Sequence, residues 1–308
     1  MKVIQVSKTV GVGEWAAADT IDKLVVGKAR VSTSKLPSGS LFEGTKGLIR
    51  FCALAQHWSV FDQARLGIEI ITSRSIGRQI LRHFSISPQE FSQRYSEVHS
   101  FEDIDIRMKG GTNRQGSTYS VSTIKQAEDG SFFSVTDATT PEKVKEAVAE
   151  LRHSVEFSRL AYKQAIDAGI ALESARFVLP EAATSKLHLD GSIRSWITFL
   201  NARLHQTAQK EVRDIAEAIR QIVIAEAPEI SEAFFNFEAD EDIHVLERLV
   251  LERYGVYQQV VAEKKERRLN AELQVMIDTV DDSSDPVAIA SMVETIMAHK
   301  NNTKRNRK

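Results

Sequence analysis

Residues 66–95, LGIEIITSRSIGRQILRHFSISPQEFSQRY, combine a strand pattern and a helix pattern with a high density of polar side chains. The β-branched residues within 66–72 are typical of a strand. A helix is predicted to follow, and on it Gln79, Arg82 and His83 fall at positions i, i+3 and i+4. Residues at that spacing share one face of a helix. These three polar side chains are therefore expected to lie side by side.

The second half of this stretch is predicted to be extended. Pro88 interrupts a helix and also disfavours the helical conformation in the residue before it. Residues 89–95 therefore read as an extended segment, in which successive side chains point to opposite sides. Glu90, Ser92 and Arg94 are expected on one side of that segment.

Polar residues between positions 79 and 94 alternate with apolar ones, which is unusual for a solvated surface. Two interpretations are open at this level. One is a ligand site, and the other is a buried ion-pair network in which Glu90 pairs with Arg82 or Arg94. Further arginines adjoin apolar runs and favour an anionic ligand, because arginine makes bidentate contacts with phosphate and carboxylate groups. These are Arg176, Arg194 and Arg203.

The segments around this stretch predict a mixed α/β or α+β domain. Residues 24–26 read as a short strand, and the Gly-, Ser- and Thr-rich residues 105–135 read as an excursion that contains a hairpin. One long helix is predicted from about 141 to 169, and another from about 193 to 225. Long helices beside short strands are typical of such domains.

The chain changes character after Pro228. Residues 240–277 and 286–298 are helical by pattern and are separated by the breaker DDSSDP. The acidic residues at the start of this region are interpreted as the opening of a helix rather than as a metal site. The last ten residues, HKNNTKRNRK, are interpreted as a solvated basic tail, with nucleic-acid contact as the open alternative. Residues 227–308 are thus predicted to form a helical extension.

The composition argues against several classes of protein. The 308 residues carry 40 Lys+Arg against 42 Asp+Glu, a net charge of −2, which disfavours a dedicated nucleic-acid binder. The single cysteine, Cys52, excludes an internal disulfide and a thiolate zinc cage. It lies in the apolar run 49–55 and is expected to be a buried, inert thiol. Neither a secretory signal nor a membrane-spanning run is recognised, so a cytoplasmic location without a membrane partner is expected.

Residues 82–95, RHFSISPQEFSQRY, resemble the signature RHRxxSxNExSxRY of the flavin-dependent thymidylate synthases. Seven of its nine fixed positions match, with Phe84 in place of arginine and Gln89 in place of asparagine. Other motifs similar to those of this family occur in the same order along residues 25–225. They are Ala29–Ser32, His57–Ser59, Thr72–Gln79, Asn113–Ser117, Ala175–Pro180 and Arg194–Glu211. Several motifs in the correct order are more specific than any one of them.

This resemblance implies a fold, an assembly and an activity. The implied fold is mixed α/β, with a central, mostly antiparallel sheet flanked by long helices, and this chain adds further C-terminal helices. Residues 1–226 would form the catalytic domain, and residues 227–308 would follow as the helical extension. The implied assembly is a homotetramer whose active sites are shared between subunits. The implied reaction is the reductive methylation of dUMP to dTMP, with FAD as cofactor and with NADPH and methylenetetrahydrofolate as co-substrates.

The resemblance also implies roles for particular residues. Arg203 would stabilise the charge that develops on the pyrimidine carbonyls, and Glu90 would bridge the nucleotide and flavin sites, so these two are the predicted catalytic residues. The residues implied to bind dUMP are Gln79, Glu90, Ser92, Gln93, Arg94, Arg176 and Arg203. The residues implied to bind FAD are Ser32, Arg82, His83, Glu90, Thr198 and Thr207. No metal is implied.

Departures from the family pattern concentrate on the flavin side of the predicted site. Phe84 replaces a cation, Thr207 stands where many members have a histidine, and Thr198 replaces a polar amide. Because the nucleotide-side residues are retained, two alternatives stand beside thymidylate synthesis. One is a hydroxymethyltransferase acting on dUMP or dCMP, and the other is a non-catalytic nucleotide-binding scaffold. The implied chemistry needs no cysteine nucleophile, which agrees with the expected burial of Cys52.

Overall fold

The computed structural model of the protein describes residues 1–32, 41–110 and 116–235. These residues form seven β-strands and eight α-helices. The strands are β1 (Lys2–Lys8), β2 (Arg65–Ser73), β3 (Ile86–Glu90), β4 (Ile104–Lys109), β5 (Ser117–Gln126), β6 (Phe132–Thr136) and β7 (Thr184–Ser192). The helices are α1 (Ile21–Ala29), α2 (Thr45–Leu54), α3 (Arg74–Ile80), α4 (Glu142–Asp167), α5 (Leu172–Ala175), α6 (Ile193–Arg203), α7 (Lys210–Glu226) and α8 (Pro228–Phe235). Short 3₁₀ helices cover Gly13–Trp15, Arg30–Ser32, Trp58–Asp62 and Arg176–Val178.

The chain divides into two compact units, Met1–Asn236 and Phe237–Lys308, and every described residue belongs to the first. The predicted helical segments 240–277 and 286–298 lie outside the described residues, as does the basic tail. Helix α8, just after the predicted domain boundary, packs against α1, α2 and α7. None of the described helices is long and apolar enough to cross a membrane.

Two antiparallel sheets organise the described chain. The central sheet has the strand order β1-β2-β7-β3, and the smaller sheet has the order β4-β5-β6. Every neighbouring pair in both sheets is antiparallel. The strand predicted over residues 66–72 is β2, and the excursion predicted over residues 105–135 contains β4, β5 and β6. The predicted mixed fold with a mostly antiparallel central sheet is confirmed.

The main core lies between the central sheet and its helices. Leu66, Ile68 and Ile70 alternate along β2 and are fully buried, as expected for one face of a strand. Helix α6 packs against β7, and α7 packs against both α6 and β1. The helix α7 contributes a stripe at helical spacing, made of Val212, Ile215, Ala216, Ile219 and Val223.

A second core holds the small sheet against the long helix α4. Val148, Val155 and Tyr162 are buried there together with residues of β5 and β6. The Tyr162 hydroxyl accepts a hydrogen bond from the backbone N–H of Val98 at 3.2 Å. We call residues 66–95 the signature stretch, and the chain that leaves it is thereby tied to α4.

Two predictions of secondary structure are wrong. Residues 24–26 belong to helix α1, which begins where the Thr20 side chain accepts a hydrogen bond from the Lys23 N–H at 3.3 Å. A short apolar run has no period that separates a buried strand from a buried helix. The single helix predicted over 193–225 is divided into α6 and α7, and Arg213 Nη1 donates to two carbonyl oxygens of the connection at 2.8 Å.

The signature stretch also differs from its prediction. Helix α3 ends at Ile80, so Arg82 and His83 lie in the following turn and do not share a helix face with Gln79. Strand β3 ends at Glu90, and the chain turns immediately afterwards. The N–H of Tyr95 donates to the carbonyl oxygen of Ser92 at 3.1 Å. The predicted extended segment is confirmed for Gln89 and Glu90 and is wrong for residues 93–95, where a local turn hydrogen bond replaces the extended chain.

Candidate active site

Arg203, the last residue of α6, joins two parts of the signature stretch. Its Nε donates to Nε2 of His83 at 2.8 Å, and its Nη2 donates to the carbonyl oxygen of Gln79 at 3.0 Å. The His83 ring packs edge-on against Phe199, with 4.8 Å between the ring centroids. We call Arg203, His83 and Gln79 the Arg203 cluster. Both hydrogen bonds hold the guanidinium in place without a ligand.

His83 is neutral in the Arg203 cluster. Burial, and after it the positive charges of Arg203 and Arg82, lowers the pKa of His83 to about 4. Because Nε2 accepts the hydrogen bond from Arg203, the ring proton is on Nδ1. Burial and Arg82 also lower the pKa of Arg203, but a guanidinium stays charged at neutral pH. The cluster thus presents one fixed cation beside a neutral imidazole.

The side chain of Gln79 connects the Arg203 cluster to the start of α7. Its Nε2 donates to Oε1 of Gln209 at 2.7 Å. Two residues further along, Glu211 accepts a hydrogen bond from Arg107 of β4 at 2.9 Å. A cavity of about 320 Å³ lies beside these residues and is lined by several carboxylates and by Arg107. The small sheet therefore reaches the same end of α7 as the Arg203 cluster.

Glu90 ends strand β3 beside its neighbour β7. Its Oε1 accepts a hydrogen bond from the Ser185 hydroxyl at 2.8 Å. Arg94 pairs with Glu173 at 3.3 Å, and Arg82 makes no ion pair within the three described ranges. The ion-pair network between Glu90 and Arg82 or Arg94, which the sequence left open, is therefore not formed in the described part of the chain.

Three arginines line a second cavity, with a volume of about 290 Å³, which we call the arginine cleft. Arg74 and Arg78 line it from α3, and Arg176 lines it from the 3₁₀ helix after α5. One carboxylate, Glu181, also lines the cleft and pairs with Arg78 at 2.6 Å. The Arg176 side chain makes no hydrogen bond or ion pair with any described residue. Positive charge is thus in excess, and the cleft is suited to an anion.

The turn formed by residues 92–94 is tied to the arginine cleft. Gln93 is only 5% exposed, and its Oε1 accepts a hydrogen bond from the Arg74 guanidinium. Its amide Nε2 is buried and has no acceptor in the described part of the chain. Arg94 pairs with Glu173 on α5, which leads directly into the 3₁₀ helix of the cleft. A buried N–H without an acceptor is destabilising, so this turn favours a bound acceptor group.

The residues predicted to bind dUMP fall into two groups. The Arg203 cluster contains Gln79 and Arg203. The cleft and its adjoining turn contain Ser92, Gln93, Arg94 and Arg176. Glu90 lies at the end of β3, where the chain enters that turn.

Most of the residues predicted to bind FAD make only local hydrogen bonds or none within the described chain. Arg82 follows α3 and is exposed, and its side chain has no partner among the described residues. The hydroxyls of Thr198 and Thr207 have local partners, a helix carbonyl oxygen at 3.0 Å and an imidazole nitrogen at 2.8 Å. Ser32 ends a 3₁₀ helix and is exposed, without a described hydrogen bond to the others. Phe84, which replaces the cation of the family pattern, is 97% exposed.

Sequence reasoning misses several residues that the fold adds to these clusters. Arg74 and Arg78 lie inside the matched motif Thr72–Gln79, and their i, i+4 spacing on a helix is the signal that predicts a common face. Ser185 and Gln209 have no comparable signal, because their partners lie 95 and 130 residues away in sequence. Among the described residues, no group of three or more His, Cys, Asp or Glu could hold a metal ion.

Comparison with known proteins relates the chain to enzymes of pyrimidine nucleotide methylation. Residues 16–229 match the family Thy1, described as thymidylate synthase complementing protein. The chain is 35% identical over 234 residues to the probable flavin-dependent thymidylate synthase of Paramecium bursaria Chlorella virus 1, covering 75% of this chain and 97% of that protein. It is 37% identical over 188 residues to the flavin-dependent thymidylate synthase of Synechocystis sp., covering 60% and 78%.

A solved structure supports the same relationship. The crystal structure of the UMP/dUMP methylase PolB from Streptomyces cacaoi, bound with 5-Br dUMP, superposes with a TM-score of 0.59 at 25% sequence identity. The superposition covers 77% of this chain and 95% of the methylase.

Proposed function

We propose that this chain, which belongs to the thymidylate synthase complementing protein family, is a flavin-dependent thymidylate synthase. The matches to this family model and to its relatives confirm the family predicted from the motifs. The proposed reaction is the methylation of dUMP to dTMP, with FAD as cofactor and with NADPH and methylenetetrahydrofolate as co-substrates. One observation carries the proposal beyond family membership. The signature stretch contributes to two cationic sites, the Arg203 cluster and the arginine cleft.

Recognition of the nucleotide is assigned to the cleft and its adjoining turn. A phosphate monoester carries a charge of about −1.5 to −2 at neutral pH and accepts several hydrogen bonds. Arg94 and Arg176 supply positive charge, and Ser92 and Gln93 supply uncharged hydrogen-bonding groups. Gln79 contributes a side-chain amide from the Arg203 cluster. This arrangement suits a monophosphate better than an uncharged nucleoside.

Activation of the pyrimidine is assigned to Arg203. Carbon 5 of the uracil ring must become electron-rich, so negative charge on the ring carbonyls has to be stabilised. Arg203 is held by His83 and Gln79 and therefore needs no reorganisation when that charge develops. Cys52 is only 4% exposed, and burial raises the pKa of its thiol, so it is a poor nucleophile. The proposed mechanism accordingly uses no cysteine.

Several groups beside the Arg203 cluster fit a flavin dinucleotide. Arg82 is exposed and unpaired within the described chain, which suits the negatively charged diphosphate. The neutral His83 retains an Nδ1–H donor, and the exposed Phe84 offers an aromatic surface. Ser32, Glu90, Thr198 and Thr207 complete the proposed set. The flavin, when bound, supplies hydride and one-carbon transfer, and the protein binds and orients it.

The proposal includes features that the family resemblance alone supports. They are a homotetramer with shared active sites, a cytoplasmic location, a catalytic domain over 1–226 and a helical extension over 227–308. The comparisons favour neither the hydroxymethyltransferase acting on dUMP or dCMP nor the non-catalytic scaffold.

Product analysis tests the proposed reaction. Full-length protein loaded with FAD is incubated with NADPH, methylenetetrahydrofolate and dUMP carrying tritium at carbon 5. We expect tritium release together with a product that has the mass of dTMP. A product heavier by one oxygen atom would identify the hydroxymethyltransferase instead. Binding of dUMP without any product would support the scaffold.

A further inference from the structure

We infer that Arg74 binds the monophosphate of the nucleotide and at the same time positions Gln93 of the adjoining turn. The inference rests on the proposed function, because it takes a pyrimidine nucleoside monophosphate as the ligand. It deepens that function by adding a residue to which the family resemblance assigns no role. It also specifies that the phosphate lies in the arginine cleft.

The first support is the position of the Arg74 side chain. Its guanidinium lines the cleft, and one of its nitrogens, Nη1, donates to Oε1 of the buried Gln93. A guanidinium has five N–H donors in one plane, so a single bond to Gln93 orients the plane and leaves other donors for an anion. Arg74 is thus the side chain through which the cleft and the turn are connected.

The second support is the backbone around the cleft. The N–H of Arg74 donates to the carbonyl oxygen of Ala183 at 3.0 Å, and the N–H of Ser75 donates to that of Glu181 at 3.3 Å. Helix α3 and the segment that follows Arg176 are therefore joined at the wall of the cleft. The backbone that carries the Arg74 side chain is therefore fixed before a ligand binds, which lowers the conformational entropy lost on binding.

The third support is the distribution of charge. Arg78 is compensated by Glu181, whereas the partner of Arg74 is a neutral amide and Arg176 has no partner in the described ranges. Two uncompensated guanidinium groups in one cavity match the charge of a phosphate dianion. The buried Nε2 of Gln93 lacks an acceptor among the described residues, so the bond from Arg74 to Oε1 is the one described hydrogen bond that holds this side chain.

The test compares two ligands that differ only in the phosphate, dUMP and deoxyuridine. Affinities are measured with FAD-loaded full-length protein, unaltered and carrying Arg74→Gln, and the kcat for tritium release is measured alongside. Arg220→Gln is the matched control, since it removes the same charge from a residue of α7 that pairs with Glu217 and does not line the cleft. We expect Arg74→Gln to weaken dUMP binding about ten- to hundredfold. Deoxyuridine binding should be nearly unchanged, and so should kcat for tritium release at saturating dUMP.

Other outcomes overturn the inference. Equal weakening of dUMP and deoxyuridine would show that Arg74 is only structural, and unaltered dUMP affinity would show that it does not contact the phosphate. If Arg74→Gln does not fold, Arg74→Lys decides, because it keeps the charge but lacks the planar fork. It should weaken dUMP binding alone, by about three- to tenfold. If the unaltered protein does not bind dUMP, the proposed function fails as well, whereas normal dUMP binding by the variants overturns this inference alone.

Discussion

The Arg203 cluster and the arginine cleft both involve the signature stretch, but they differ in how completely their hydrogen-bonding groups are satisfied. Arg203 donates to His83 and to Gln79, and the neighbouring imidazole is neutral. As far as the described residues extend, Arg176 of the cleft has no side-chain partner, and Nε2 of Gln93 in the adjoining turn has no acceptor. Groups of the protein itself pair with the guanidinium in the Arg203 cluster, whereas the arginine cleft keeps unpaired donors that can bind an anion.

This difference separates two uses of a positive charge. A cation that is already held in place suits charge that appears only in the transition state, because nothing has to reorganise. An unpaired cation in an open cleft mainly binds charge that the substrate already carries. Substitutions in the Arg203 cluster should therefore lower kcat, and substitutions in the arginine cleft should raise KM for dUMP.

The largest effect is expected from Arg203→Met. Removal of the fixed cation should lower kcat for tritium release about hundred- to thousandfold, with a smaller change in KM for dUMP. Arg194→Met is the control on the same helix, since Arg194 is exposed and pairs with Asp62 at 3.0 Å. That variant should keep kcat near the unaltered value. If Arg203→Met raised KM for dUMP and left kcat unaltered, the proposed difference between the Arg203 cluster and the arginine cleft would be wrong.

A smaller effect is expected from Arg176→Gln in the cleft. KM for dUMP should rise about ten- to hundredfold, while kcat at saturating dUMP stays within about threefold. Because the Arg176 side chain has no described partner, the melting temperature of the protein without ligand should hardly change. A fall in kcat comparable with that of Arg203→Met would contradict this assignment.

The pH dependence of stability tests the neutral state of His83. The pKa of His83 is about 4 in the folded protein and 6.5 when unperturbed, so the unfolded chain binds more protons between these values. The free energy of unfolding should therefore fall as the pH is lowered from 6.5 towards 4, and His83→Gln should lack this contribution. Asp22, whose pKa burial raises to about 6, contributes with the opposite slope. Urea unfolding of the unaltered protein and of His83→Gln is measured from pH 4 to 6.5, and the difference between their free energies of unfolding gives the contribution of His83. Identical pH profiles would disprove the neutral imidazole.

The smallest effect is expected from Glu181→Gln. This change removes the carboxylate that pairs with Arg78 and leaves another guanidinium of the cleft uncompensated. KM for dUMP should fall about two- to fivefold at low ionic strength, and the gain should shrink at high salt because the pair is exposed. Weaker dUMP binding at low salt would mean that Glu181 positions Arg78 rather than opposing the phosphate.

The sequence was sufficient for the family, the class of fold and most members of the two regions. Residues such as Arg94 and Arg203 belong to motifs whose order along the chain is specific, and β2 has the composition of a strand. The prediction failed where local pattern was ambiguous. The apolar residues 24–26 suit a strand or a helix equally, and they became part of α1 because burial of the helix face and the Thr20 cap decided the outcome.

The sequence by itself determined which functional groups are available. Arginines, a glutamate and a histidine are concentrated in the signature stretch and in two later motifs. Only the tertiary structure divided them into a satisfied cluster and an open cleft. Arg203 meets His83 across 120 residues of chain, and Arg74 meets Gln93 only because α3 and the turn after β3 pack together. Hydrogen bonds between distant segments depend on packing, which leaves no periodic trace in the sequence.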